Sequence, residues 1–218
     1  MPVGFPEFED SIEPRCPVIL LCDTSGSMSG EPIDALNKGL ITFCNEISMD
    51  EQASLRVEAA LVTFGPVQVV QDFTAIDGFF PPQLAANGNT PMGEAIELAL
   101  DLLEKRKQAY KDNGVQYFRP WVFLITDGAP TDEWVHAAQK VRQADSGQKL
   151  LFFAVGVKGA DMSILTQISP VARPPMMLNG LDFGSLFQWL SSSLQKVSGG
   201  TVGAPVDLPP VGWGTVAS

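Results

Sequence analysis

Basic residues are scarce in this chain: 14 Lys and Arg stand against 25 Asp and Glu over 218 residues, for a formal net charge of -11. Binding to nucleic acid or anionic membrane draws on clustered Lys and Arg to neutralise phosphates. No basic stripe runs through the sequence, so neither partner is expected. Long apolar runs are missing too, since a bilayer span takes about 20 apolar residues. Met1 and Pro2 are followed by Glu7, Glu9, Asp10 and Glu13, without the basic opening or apolar stretch of a secretory signal. That start reads as cytoplasmic. Cysteine is limited to Cys16, Cys22 and Cys44, odd in number and without a C-x-x-C pair, which argues for buried reduced thiols over disulfides or zinc. The single histidine, His136 beside Trp134, reads as structural or solvent-facing. There is no G-x-S-x-G elbow and no Walker A sequence.

What the chain does have is an unbroken apolar run that ends in oxygen donors. Residues 18–28 read V-I-L-L-C-D-T-S-G-S-M. A Val, Ile and Leu run without polar alternation fits a strand buried on both faces, as in parallel sheets covered by helices. Ligands of such folds bind beyond the carboxyl ends of the strands. Asp23, Ser25 and Ser27 stand at that edge and offer only hard oxygen donors, the chemistry of Mg²⁺, Mn²⁺ or Ca²⁺.

Strand and helix signals alternate along the rest. After the strand at 17–22, Pro32 opens a helix with Ile33, Leu36, Leu40, Ile41, Cys44 and Ile47 on one face. Residues 55–64 and 67–73 read as a hairpin around Gly65-Pro66, adding one antiparallel edge strand. A helix at 91–110, a strand at 121–126, a helix at 133–144, a strand at 150–157, a short helix at 162–168 and a strand at 176–178 follow. Asp182 is placed to cap a last helix that ends at Gly199-Gly200. The pattern predicts an α/β fold, a doubly wound and mostly parallel sheet with helices on both faces. Three segments are expected: an acidic arm at 1–14, one domain at 15–198 and a Gly/Pro-rich tail at 199–218. The tail reads as merely packed or disordered, with an extended docking peptide around Pro209, Pro210 and Trp213 as the alternative.

Two more loops carry oxygen donors at the same edge: G-N-T-P-M-G-E at 88–94, with Thr90, and T-D-G-A-P-T-D at 126–132, with Asp127. Three loops could therefore converge on one cation. Duller roles exist for each residue, because Asp and Ser also favour caps and turns; the joint occurrence at three strand ends favours a metal. Taken together, D-T-S-G-S, the Thr in G-N-T-P-M-G-E-A and the Asp in L-I-T-D-G resemble the von Willebrand factor type A domain family and its metal-ion-dependent adhesion site. The resemblance implies a Rossmann-like fold in which Ser25, Ser27 and Thr90 coordinate Mg²⁺ or Mn²⁺. It further implies that Asp23 and Asp127 act directly or through water, and that a partner's Asp or Glu completes the metal.

The stretches D-T-S-G-S-M-S-G-E-P-I, Y-F-R-P-W-V-F-L-I-T-D-G-A-P-T-D-E-W and F-F-A-V-G-V resemble the TerY-like, tellurite-resistance-associated bacterial subgroup. That resemblance implies a scaffold in stress response, with a protein kinase or PP2C-type phosphatase as partner, although the Cys-rich extension of some members is missing. A monomer outside its complex is expected. One rival reading is a metal-dependent hydrolase, but the three loops contain no Lys, Arg or His to hold developing negative charge. A structural subunit whose metal only braces the loops is the other. Glu31, Glu94, Asp132 and Glu133 nearby read as a solvated face.

Overall fold

The computed structural model describes residues 13–216. Of the acidic arm, only Glu13 and Pro14 fall within it; residues 1–12 lie outside the described residues. The apolar run forms strand β1 (Cys16–Asp23), every residue of which is buried. Successive side chains of a strand point to opposite faces. Val18, Leu20 and Cys22 enter one core and Ile19 and Leu21 the other, which is why the run has no polar alternation.

Strands β2 (Val57–Phe64), β3 (Gln68–Ala75), β4 (Trp121–Thr126), β5 (Leu151–Gly156), β6 (Met176–Leu178) and β7 (Gly214–Val216) complete a seven-stranded sheet of order β3-β2-β1-β4-β5-β6-β7. The inner pairings β1–β2, β1–β4, β4–β5 and β5–β6 are parallel. Both edge pairings, β2–β3 and β6–β7, are antiparallel. Helices α1 (Glu31–Ser48), α2 (Glu51–Arg56) and α6 (Phe183–Ser198) cover one face, and α3 (Met92–Asp112), α4 (Val135–Ser146) and α5 (Met162–Ile168) the other. The α/β, doubly wound architecture is as the sequence predicts. Among the described residues, no helix is long and apolar enough to cross a membrane.

Local chemistry explains the places where the structure departs from that reading. Residues 55–56 close α2 rather than open β2, because the Asp50 carboxylate caps the short helix, accepting from Gln52 N at 3.1 Å and Ala53 N at 2.8 Å. Ile41 is 57% exposed, and the buried stripe of α1 runs Ile33, Leu36, Leu40, Phe43, Ile47. The expected cap at Asp182 is present, accepting from Ser185 N at 3.0 Å. Cys16 and Cys22 are buried and Cys44 half-buried, all three free. Burial pushes the Cys16 thiol up to about 12 and the Cys44 thiol up to about 11, which keeps both protonated.

The Gly/Pro-rich tail is packed onto the domain. Trp213 is 2% exposed, its ring 5.8 Å from that of Trp189, and Trp189 Nε1 donates to Pro209 O at 2.9 Å. These contacts extend the aromatic stack of Phe123 and Phe153, 4.7 Å apart, and deliver residues 214–216 to the free edge of β6. At the amino end of the sheet a buried ionic cluster holds β2 to α3. Glu58 lies 3.3 Å from Arg15 Nε and 2.7 Å from Arg106 Nη2, and it accepts the Tyr110 hydroxyl. Burial, reinforced by the Glu58 charge, holds the Tyr110 hydroxyl protonated well above the ordinary tyrosine range.

Candidate metal centre

Strand order reverses direction between β1 and β4: the chain moves from β1 to β2 on one side and from β4 to β5 on the other. In open α/β sheets the crevice beyond the carboxyl ends at such a switch point is where ligands bind. Asp23 is the last residue of β1, and Thr126 the last of β4, with Asp127 next. Cys22 and Ile125 are paired in register, so the two loops leave side by side. The loop carrying Thr90 is stitched to them by backbone bonds, Asn87 N to Thr24 O at 2.7 Å and Gly26 N to Gly88 O at 3.0 Å.

The structure brings all five predicted residues to this edge. Asp23, Ser25, Thr90 and Asp127 are buried, and Ser27 is exposed. Ser27 Oγ donates to Asp127 Oδ1 at 2.7 Å, and Ser25 and Ser27 hydroxyls lie 3.1 Å apart. A serine has one proton to give. Since Ser27 gives its one proton to Asp127, its oxygen keeps lone pairs that a cation could use. A Cβ built on Gly128 would lie 3.4 Å from Thr90 Oγ1, so the Thr90 hydroxyl stands against the residue that follows Asp127.

Asp23 is held differently. Its Oδ1 accepts from Ser25 N at 2.8 Å and its Oδ2 from Thr126 Oγ1 at 2.5 Å. With both oxygens engaged, Asp23 is suited to orienting the loop and supplying charge from behind. Burial pushes its carboxyl pKa up; the bonds from Ser25 and Thr126 oppose this, and the charge of Asp127 adds to it. Two facing carboxylates repel, and a divalent cation relieves that repulsion.

Residues outside the predicted set build the frame. Thr126 orients Asp23 through the bond just described. Thr131 braces Thr90: its hydroxyl accepts from Thr90 N at 3.2 Å, and its N–H donates to Thr90 O at 2.9 Å. Asp132, read from sequence as part of a solvated face, caps α3 from another loop, accepting from Gly93 N at 3.0 Å and Glu94 N at 2.8 Å. Gly65, at φ 105°, lets the β2–β3 turn pass under the site; a Cβ there would lie 2.7 Å from Asn87 O and 2.8 Å from Ser25 N. The Gly-Pro dipeptide was the available sequence signal for that turn. Glu133 accepts from Val135 N at 2.8 Å. His136 is exposed and pairs with Glu97 on α3 at 3.1 Å, in accord with its bland reading.

The donor set fits a hard divalent ion, because every candidate ligand is oxygen. Among the described residues no three His, Cys, Asp or Glu side chains gather into a metal-holding group. The candidate donors at this edge are therefore two carboxylates and three hydroxyls.

Comparison with known proteins places the fold. Mouse inter alpha-trypsin inhibitor heavy chain 4 is 29% identical over 143 residues, covering 62% of this chain and 15% of its own length. The chain thus spans only a small part of the curated relatives it matches. Among solved structures, the pilus adhesin SpaC of Lactobacillus rhamnosus GG superposes with TM-score 0.68 at 14% identity, over 85% of this chain and 30% of its own. The proximal thread matrix protein 1 of the mussel byssus gives TM-score 0.57 at 17% identity, over 84% and 48%. Manganese-loaded TRAP protein of Plasmodium vivax gives 0.53 at 18%, over 79% and 71%.

The cytoplasmic placement read from the acidic start is corrected by these matches, which include a pilus adhesin and a byssal thread protein, both of extracellular structures. The physical reason is that an opening without a signal pattern does not fix a compartment. The profile of the von Willebrand factor type A domain matches residues 18–190, and the chain belongs to that family.

Proposed function

We propose that the carboxyl edge of β1 and β4 is a divalent-cation site through which the protein binds an acidic side chain of a partner protein. The observation that carries this reading is the convergence of three oxygen side chains from two loops, Ser25 and Ser27 hydroxyls 3.1 Å apart and Ser27 Oγ 2.7 Å from Asp127 Oδ1. Ser25, Ser27 and Thr90 would hold Mg²⁺, with Mn²⁺ or Ca²⁺ as alternatives, while Asp23 and Asp127 supply charge and orientation. A bound ion there would retain enough positive charge to attract a partner's Asp or Glu, since hydroxyl ligands are neutral. The manganese in the TRAP protein, which shares the fold, supports the same chemistry.

A binding module is favoured over a hydrolase. The three loops supply no Lys, Arg or His for transition-state charge, and the fold is shared with adhesins. The finer proposal, resting on the TerY-like stretches alone, is a scaffold in a tellurite-resistance type of stress response whose partner is a protein kinase or PP2C-type phosphatase.

Affinity capture with the tagged protein in Mg²⁺ and in EDTA, with Asp23→Ala as parallel bait, tests the reading. A partner retained by the wild type only in Mg²⁺ supports it and names the pathway. Partners indifferent to both EDTA and the substitution would leave the cation a bracing role, and phosphoester turnover lost in Asp127→Ala would make the protein an enzyme.

A further inference from the structure

Opposite the cation edge, at the amino ends of β4 and β5, the chain forms a cleft of about 920 Å³. The ends of α3 and α6 and residues 202–206 of the tail wall it. Lys107, Lys111, Arg119 and Lys149 reach the cleft against a single carboxylate, Glu104. In a chain of net charge -11 with only 14 Lys and Arg, that is a strong local inversion of sign. Two of the four cations are already engaged. Lys107 Nζ is 2.6 Å from Glu104 Oε1, and Arg119 donates to Leu150 O at 2.7 Å and Asp145 O at 2.6 Å. Lys111 and Lys149 are exposed, and among the described residues neither ammonium group holds a hydrogen bond or ion pair.

The chain enters the domain at the rim of this cleft. Arg15 forms a β-bridge with Tyr117, which lines the cleft. Glu13 Oε2 accepts from Arg56 Nε at 2.6 Å, and Arg56 also donates to Ser198 O, one residue past the cleft-lining Val197. The residues before Glu13 read M-P-V-G-F-P-E-F-E-D-S-I, with Glu7, Glu9 and Asp10, no Lys or Arg, and Phe5 and Phe8.

We propose that this N-terminal arm docks in the cleft, its carboxylates on Lys111 and Lys149 and its phenylalanines against the apolar lining of Pro120, Leu151 and Val206. Carboxylates and aromatic rings match a wall that is cationic at the rim and apolar within. Twelve residues can extend over about 40 Å, so the arm reaches every part of the cleft. A short tether supplies an effective concentration in the millimolar range, which lets a weak docking sequence hold the site against acidic ligands in trans.

The test uses the full chain and a fluorescent peptide of residues 2–11, followed by anisotropy. A chain with Glu7→Lys, Glu9→Lys and Asp10→Lys is expected to bind the peptide, and the wild type about tenfold more weakly or less, because its own arm competes. Adding Lys111→Glu and Lys149→Glu, both at exposed positions, to the arm-reversed chain should abolish binding. Acetylation of Lys111 and Lys149, read by mass spectrometry, should be slower in the wild type than in the arm-reversed chain. Equal peptide affinity for wild type and arm-reversed chain, or no binding to the arm-reversed chain, would overturn the proposal.

Discussion

Ser27 is the residue on which the proposed cation binding turns, because it is exposed and donates to Asp127 Oδ1 at 2.7 Å. Replacing it with alanine removes a donor without opening a core cavity, so the metal-free protein should melt near the wild-type temperature. Mg²⁺ at a hundredfold over its dissociation constant should add about 2.7 kcal/mol to the wild type, a rise of about 5 to 10 °C for a domain of this size. In Ser27→Ala the rise should vanish; an equal rise in both, by scanning calorimetry, would remove Ser27 from the ligand set. Asp23, Ser25 and Ser27 were legible in the sequence because they are local to one strand end. Thr126 and Asp132 were not, because their partners lie 103 and 38 residues away and no local pattern encodes such pairings.

Among the elements, α3 is tied to the site at its first turn and to the ionic cluster near its last. Gly93 has no room for a side chain: a Cβ would lie 2.0 Å from Glu133 O. Gly93→Ala must push the loop after β4 away from α3 and disturb the bonds from Gly93 and Glu94 to Asp132. A loss of about 1–3 kcal/mol is expected from such overpacking, together with a weaker Mg²⁺ response. Urea unfolding with and without Mg²⁺ measures both, and an unchanged Mg²⁺ response would mean that α3 does not position Thr90. At the far end of the sheet, Glu58→Ala leaves Arg15 and Arg106 facing each other in a buried setting. Removing one partner of a buried ion pair costs about 3–5 kcal/mol, and the Mg²⁺ response should survive it. Helix α2 was illegible because its six residues hang on a single cap, Asp50, at the threshold of a strand.

For the whole molecule, strand order follows from where apolar runs, helices and turns alternate, which is why the parallel core could be read in advance. The second antiparallel edge could not. Its three residues, Gly214–Val216, have no strand pattern and are carried to β6 by the packing of Trp213 on Trp189. Trp213→Ala should therefore cost about 3–5 kcal/mol and free the backbone of β7, seen as faster hydrogen exchange at Thr215 and Val216. Exchange unchanged from the wild type would show that the edge pairing holds without the tryptophan. If the crevice between β1 and β4 takes one divalent cation, as proposed, depletion of the free Mn²⁺ resonance on adding protein measures it directly. One Mn²⁺ bound per wild-type chain, displaced by Mg²⁺ and lost in Asp127→Ala that retains its fold by circular dichroism, is the predicted result. No depletion by the wild type, or equal depletion by Asp127→Ala, would contradict it.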